Sequence, residues 1–262
     1  DDETLSISNL YIDELFKDSG PVELLITNNK LIKTQYTQPA IFIHSAIISK
    51  ILETKNIIPD SVAGHSLGEY SALVAASVLA FPDALKLVEY RAQFMSEASR
   101  QQDCMMGVVL GLDGKTLQAL CKEAKTAGVV EIANYNCSGQ LIVSGETAAV
   151  KQVMSGAKTA GAKRCLPLRV SGAFHSSLME PARQGLVDAI ASLQFQDPQI
   201  PIVGNCTGKP LNTAEAIKEE LINQICSCVQ WEKSVTYMVN VGVSSFIEVG
   251  PGKVLSGLVK RI

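Results

Sequence analysis

The chain has 262 residues, 47% of them apolar, with 23 Lys and Arg against 26 Asp and Glu for a net charge of −3. That length suits one large globular domain or one carrying a smaller insertion, the charge offers no basic surface for nucleic acid, and no apolar run approaches a bilayer span. The seven cysteines are odd in number and scattered, and Cys226 and Cys228 lack the histidine or second pair of a zinc site, so they read as free thiols in a reducing compartment.

The first thirty residues or so are polar and irregular, with breaks at Gly20-Pro21 and Asn28-Asn29 and no signal peptide or convincing strand. Thr37-Gln38-Pro39 predicts a helix start, with the threonine as cap, the proline in the first turn, and an apolar face of Ile41, Ile48, Ile51 and Leu52. After a break over Ile57 to Asp60, a short apolar run feeds Gly64-His65-Ser66-Leu67-Gly68, and small and apolar residues of helical character follow. A serine at a strand-to-helix turn has the setting of a nucleophile elbow. The sharp turn strains the serine backbone, the flanking glycines are expected to allow close approach of strand and helix, and free N–H groups at the helix start face developing negative charge. Ordinary turns carry the same pentapeptide by chance, so its weight depends on what accompanies it.

Phe81-Pro82-Asp83 opens the next helix, where Ala84, Leu87, Val88 and Met95 form a stripe at helical spacing. Arg91 falls in that stripe. A guanidinium on a core-facing side snorkels outward, pairs with a structural carboxylate, or clamps a substrate carboxylate with its planar fork.

From Met105 to Val170 the pattern reads strand 107–110, helix 115–127, strands 129–134 and 140–144 joined by the turn Asn136-Cys137-Ser138-Gly139, helix 147–160 and strand 164–170. This β-α-β-β-α-β order is that of a ferredoxin-like unit, inserted in a larger one. Directly after it, His175 lies in the loop Ser171-Gly172-Ala173-Phe174-His175-Ser176. Of the three histidines, His44 sits in a helical apolar run and His65 inside the pentapeptide, which leaves His175 as candidate base for a serine remote in sequence. A helix from Pro181 through Leu186, Val187, Ile190 and Leu193, buried strands at 200–204 and 244–249, and helices at 215–225 and 232–241 make the larger part α/β.

Six stretches, in order along the chain, carry a family resemblance: Thr37-Gln38-Pro39-Ala40, the elbow through Val74, Tyr90 to Met95, Gly172 to Ser176, Val229-Gln230-Trp231, and Glu248 to Leu255. Together they resemble the malonyl-CoA:acyl carrier protein transacylases. The resemblance implies an α/β-hydrolase-like domain over residues 1–102 and 171–262, with the ferredoxin-like subdomain at 103–170. It also implies a Ser66 nucleophile, a His175 base oriented by the backbone carbonyl of Gln224, and the Leu67 N–H as oxyanion donor. Arg91 is then expected to bind the malonyl carboxylate, Phe174 to exclude a branch at the α-carbon, Gln38 and His65 to line the pocket, and Asn134 or Asn136 to line the pantetheine path.

The partners so implied are malonyl-CoA and acyl carrier protein, with no metal or redox cofactor, in a monomer of the bacterial cytoplasm or an organelle matrix. The family opens with a strand and a Gly-Gln-Gly-Ser-type loop whose glutamine gives a second oxyanion donor. No such loop occurs in these residues, so the sequence is expected to lack its start. Other readings are an acyltransferase feeding a polyketide synthase, an acyl hydrolase that clears stalled carriers, and a non-catalytic binding module.

Overall fold

The structure is a computed structural model that describes residues 33–262, so the breaks expected at Gly20-Pro21 and Asn28-Asn29 lie outside the described residues. Helix α1 (Thr34–Thr54), with Lys33 at its cap position, starts four residues earlier than its sequence suggests. The N–H groups of Tyr36 and Thr37 both reach the Lys33 carbonyl, and the Thr37 hydroxyl donates to that same oxygen at 3.0 Å instead of capping a helix of its own. Pro39 consequently sits inside the helix, where its ring removes one backbone donor but packs into the core. The buried face is also rotated from the expected one: Phe42, Ile43 and Ala46 are buried, whereas Ile41, Ile48, Ile51 and Leu52 are only half-buried. His44 is exposed.

Helix α1 packs along α3 (Phe81–Ser99), with Phe42 stacked on Phe81 at 5.5 Å between ring centroids. The expected α3 stripe of Ala84, Leu87, Val88, Arg91 and Met95 is buried throughout. Between them runs the short strand β1 (Val62–Ala63) and helix α2 (Gly68–Ala75). Strand β1 pairs in parallel with β6 (Ile202–Val203), which pairs antiparallel with β7 (Pro210–Leu211). Helices α6 (Glu180–Ala191) and α7 (Ala214–Gln224) complete a main core that contains Leu73, Leu87, Leu186 and Ile217.

A second core lies in the middle of the chain. Strand β2 (Cys104–Leu110), helix α4 (Gly114–Ala124), strands β3 (Val130–Cys137) and β4 (Gln140–Glu146), helix α5 (Thr147–Thr159) and strand β5 (Arg164–Pro167) follow in the expected order. The four strands form an antiparallel sheet ordered β3-β4-β2-β5, and the two helices share a core with it that includes Leu117, Val143 and Val150. Asp113 caps α4 by accepting the Thr116 N–H at 2.9 Å. The hairpin is tighter than expected, because Asn136 and Cys137 remain in β3 and only Ser138 and Gly139 turn, with Gly139 at φ +68°. Strand β5 ends early, at Pro167, although the Leu168 N–H still reaches the Met106 carbonyl.

The sheet is tied to the larger part through β3. The Tyr135 N–H donates to the Val229 carbonyl at 2.9 Å and the Val229 N–H to the Ala133 carbonyl at 2.8 Å. Just beyond lies α8 (Trp231–Asn240). The strand expected at 244–249 does not form. No strand among the described residues pairs with it, Phe246 and Ile247 are exposed, and the Glu248 carboxylate turns instead to accept the Leu255 and Ser256 N–H groups at the start of α9 (Val254–Val259). All seven cysteines are free thiols, as expected. No helix among the described residues is long and apolar enough to cross a membrane. The described chain is thus a mixed α/β fold.

Candidate active site

Strand β1 delivers the chain to Ser66, whose backbone sits at φ +52°, a left-handed conformation that costs a non-glycine residue about 1–3 kcal/mol. Two side-chain amides hold it there. Asn205 Oδ1 accepts the Ser66 N–H at 2.7 Å, and Gln224 Nε2 donates to the Ser66 carbonyl at 2.9 Å. The two flanking glycines are not equivalent, contrary to the sequence expectation. A Cβ on Gly64 would lie 1.9–2.2 Å from backbone atoms of Gly68 and Glu69, whereas one on Gly68 meets nothing within 4 Å among the described residues. Only Gly64 is needed for strand and helix to approach. Gly64→Ala is therefore expected to abolish the native thermal transition, while Gly68→Ala melts within a few degrees of wild type; equal melting of the two variants would contradict this assignment.

Around the elbow, the N–H groups of Gly68, Glu69 and Tyr70 bond back to the carbonyls of residues 65, 66 and 67. The Ser66 N–H is taken by Asn205. Among the described residues the Leu67 N–H enters no hydrogen bond.

His175 comes to this point from 109 residues away, with Nε2 at 2.7 Å from Ser66 Oγ. Its own backbone is left-handed at φ +58°, and its Nδ1 lies 2.9 Å from the Gln224 carbonyl oxygen, at the end of α7. A carbonyl can only accept, so Nδ1 carries the proton and Nε2 presents its lone pair to the serine. Burial, assisted by the nearby Arg91 cation, pulls the His175 imidazolium down to about 3. The ring is thus neutral, with its Nε2 lone pair turned to the serine hydroxyl. The loop around it is close-packed: a Cβ at Gly172 would overlap Ser99 Oγ, the Ser176 hydroxyl closes onto the Ala173 carbonyl at 2.6 Å, and Glu131 of β3 accepts the Ser177 N–H at 2.7 Å.

Arg91 is 1% exposed. Its guanidinium donates to Gln38 Oε1, to Gln224 Oε1 at 3.0 Å and to Ser66 Oγ at 3.0 Å, and it lies over the Tyr70 ring at 5.4 Å. Every acceptor is neutral, and Nε is a buried donor without a partner. A cation in this state favours an added anion next to Ser66. Gln38 is held in turn by Met95, with Nε2 at 3.3 Å from Sδ.

Ser66, His175, Arg91, Gln38 and the Gln224 carbonyl therefore lie together, the set that the family resemblance names. His65 and Asn136 meet beside them, Nε2 to Oδ1 at 2.9 Å, with the His65 ring 5.6 Å from that of Trp231. Both residues line, with Asn134 and the apolar side chains Val108, Leu110 and Ile142, a cavity of about 430 Å³ walled mainly by strands β2, β3 and β4. Phe174 packs between the main core and the Met106–Ala133–Ile142 cluster; no contact with Ser66 marks it.

Sequence reasoning missed Asn205, the Gln224 side chain, and above all Glu69, which is wholly buried one turn beyond the serine. Its Oε1 accepts both the backbone and side-chain N–H groups of Asn205, at 2.9 and 3.0 Å, and its Oε2 accepts Gln224 Nε2. Burial, and after it the Glu220 carboxylate, push its carboxyl well above the ordinary carboxylate range, against the opposing pull of the Gln224 and Asn205 donors. A glutamate in the first turn of a helix ordinarily signals only the helix dipole, so nothing in the sequence set it apart.

The model of the acyl transferase domain matches residues 11–261. A malonyl CoA-acyl carrier protein transacylase of Staphylococcus aureus is 43% identical over 248 residues, 94% of this chain and 80% of the relative. The crystal structure of MCAT from Streptococcus pneumoniae superposes with a TM-score of 0.89 at 41% identity, over 99% of this chain and 84% of that one. A solved holo complex of a type II PKS acyl-carrier protein with its malonyl-transacylase gives a TM-score of 0.89 at 38% identity, over 99% of this chain and 83% of the other. Matched by that domain over residues 11–261 and by relatives of this identity over most of both chains, this chain belongs to the acyl transferase domain family and, within it, to the malonyl CoA-acyl carrier protein transacylases.

Proposed function

We propose that the chain moves a malonyl group from coenzyme A to the phosphopantetheine thiol of an acyl carrier protein, by way of a malonyl ester on Ser66. The observation that carries this reading is the placement of Arg91, whose Nη2 is 3.0 Å from Ser66 Oγ with no carboxylate paired to it among the described residues. In a malonyl ester the free carboxylate is two carbons from the carbonyl carbon, within reach of that guanidinium.

In the first half-reaction Ser66 Oγ attacks the thioester carbonyl while its proton passes to His175 Nε2. The tetrahedral oxyanion faces the Leu67 N–H. Collapse breaks the carbon–sulfur bond, the departing thiolate takes the proton from His175, and malonyl-Ser66 remains. In the second half the carrier thiol gives its proton to His175 and attacks the ester, and Ser66 Oγ recovers the proton as it leaves. A neutral carbonyl behind His175 stabilises an imidazolium less than a carboxylate would, which a thiolate leaving group tolerates. The reaction so written uses no metal and no cofactor apart from the coenzyme A of the substrate.

The 430 Å³ cavity, lined by the amides of Asn134 and Asn136 together with apolar strand residues, suits the pantetheine arm. Phe174 would crowd a branch at the α-carbon. We assign the larger part, residues 33–102 and 171–262 of the described chain, to an α/β-hydrolase-like domain and residues 103–170 to a ferredoxin-like subdomain, on the strand order β3-β4-β2-β5 and the separate core. The enzyme would work as a monomer in the compartment that holds malonyl-CoA and carrier, the cytoplasm in bacteria.

Incubation with malonyl-CoA is expected to leave one malonyl group on the wild-type chain, mapped by peptide mass to Ser66, and none on Ser66→Ala. A malonyl adduct elsewhere, or none on the wild type, would overturn the reading.

A further inference from the structure

The two amides that hold Ser66 are not free to choose their orientation. Asn205 Oδ1 faces a backbone donor, the Ser66 N–H, and its Nδ2 faces a backbone acceptor, the Gly64 carbonyl, at 2.6 Å. Gln224 Nε2 faces the Ser66 carbonyl, and its Oε1 faces Arg91, which can only donate. With both amides fixed in this way, the N–H groups they have left point at the same place, and Glu69 fills it. All three recorded partners of its two oxygens are donors, so the side chain acts there as an acceptor throughout.

We propose that Glu69 is a positioning residue of the active site: as a buried carboxylate behind the elbow it orients the Gln224 and Asn205 amides, and through them holds Ser66 and Arg91 in their reacting geometry. The inference rests on the acyl-transfer reading above and extends it. Glu69 touches neither substrate nor the reacting oxygen. In its ionised form it also sets a negative charge one amide away from Arg91: Glu69 polarises Gln224 Nε2–H, and the opposite end of that amide accepts from the guanidinium. A glutamine at position 69 would reproduce the shape but not the bonding, since its NH₂ must face either the two Asn205 donors or the Gln224 donor.

The test compares full-length wild type with Glu69→Gln. Read out are the first-order rate of Ser66 acylation at saturating malonyl-CoA, the half-saturating concentration, the malonyl:acetyl rate ratio, the melting temperature, and the rate of phosphonylation by a neutral fluorophosphonate. Glu69→Gln is expected to lower the acylation rate about 30-fold or more, as a displaced elbow should, with the half-saturating concentration changed by no more than a few-fold. The malonyl:acetyl ratio and the phosphonylation rate are expected to fall as well. A folded Glu69→Gln acylated at the wild-type rate, whatever its melting temperature, would overturn the proposal.

Should Glu69→Gln not fold, Gln224→Met decides. It keeps the backbone carbonyl that faces His175 but removes the amide through which Glu69 acts, and the same losses are expected; wild-type rate and selectivity there would overturn the proposal. If the wild type takes the fluorophosphonate but no malonyl group, the transfer reading fails, and the phosphonylation ratio still decides the role of Glu69.

Discussion

His175→Ala is expected to slow formation of malonyl-Ser66 by about 10²–10⁴-fold, the usual contribution of a placed general base. Ser66 Oγ would keep its contact with Arg91 Nη2, but a guanidinium cannot take the proton. The half-saturating concentration of malonyl-CoA should change little, because the substrate carboxylate is assigned to Arg91 and not to His175, and rapid-quench mass analysis separates the two effects. A loss below tenfold would remove His175 from its role.

The acid side of the wild-type profile follows from the same residue. Burial and Arg91 hold its folded pKa at about 3, against an unfolded value of 6.5. Between these values the unfolded chain binds a proton that the folded chain does not, so stability attributable to His175 is intact above pH 6.5 and declines as pH falls toward 3. Serine phosphonylation of the substrate-free chain should accordingly show no break near pH 6.5. Once a malonyl carboxylate pairs with Arg91, the cation's push on His175 is offset, and the acid limb of the malonyl reaction should lie at higher pH than that of phosphonylation.

The second large effect is on selectivity. Arg91→Ala is expected to reduce the malonyl:acetyl ratio more than about 100-fold, since leaving a buried carboxylate without its cation costs about 3–5 kcal/mol. Acetyl transfer should survive, because Ser66 and His175 keep their own contact at 2.7 Å. Arg91→Lys should recover only part of the preference: its single ammonium cannot serve Gln38, Gln224 and a carboxylate in the directions the guanidinium fork does. The ratio, measured by competition between labelled thioesters, contradicts the clamp if it stays unchanged.

The parts of this site that were legible in the sequence are those whose signal is local. The strand-turn-helix pattern around Ser66 and the helical spacing that puts Arg91 on the inner face of α3 both depend on neighbours a few residues away, and both are found in the structure. The alternation and turn signals from Met105 to Pro167 likewise carried the order of the four-stranded unit. What could not be read depends on contacts between distant segments. Pro39 lies within a helix because Lys33 offers an earlier start, and residues 244–249 find no strand partner among the described residues because strand formation needs a neighbour that no local pattern reports. Gly64 and Gly68 look alike in a pentapeptide, but only one faces backbone. Glu69 and Asn205 lie 136 residues apart, and their function exists only where β6 brings them together.

The most direct test of the account is a single-turnover chase. Enzyme charged at Ser66 with malonyl from malonyl-CoA is freed of coenzyme A and mixed with a carrier protein bearing the phosphopantetheine thiol, and both proteins are weighed by intact mass over time. The account predicts that the malonyl mass leaves Ser66 and appears on the carrier thiol, with free malonate forming far more slowly and only when thiol is omitted. Malonate released at the same rate with and without the carrier would identify a hydrolase and contradict it.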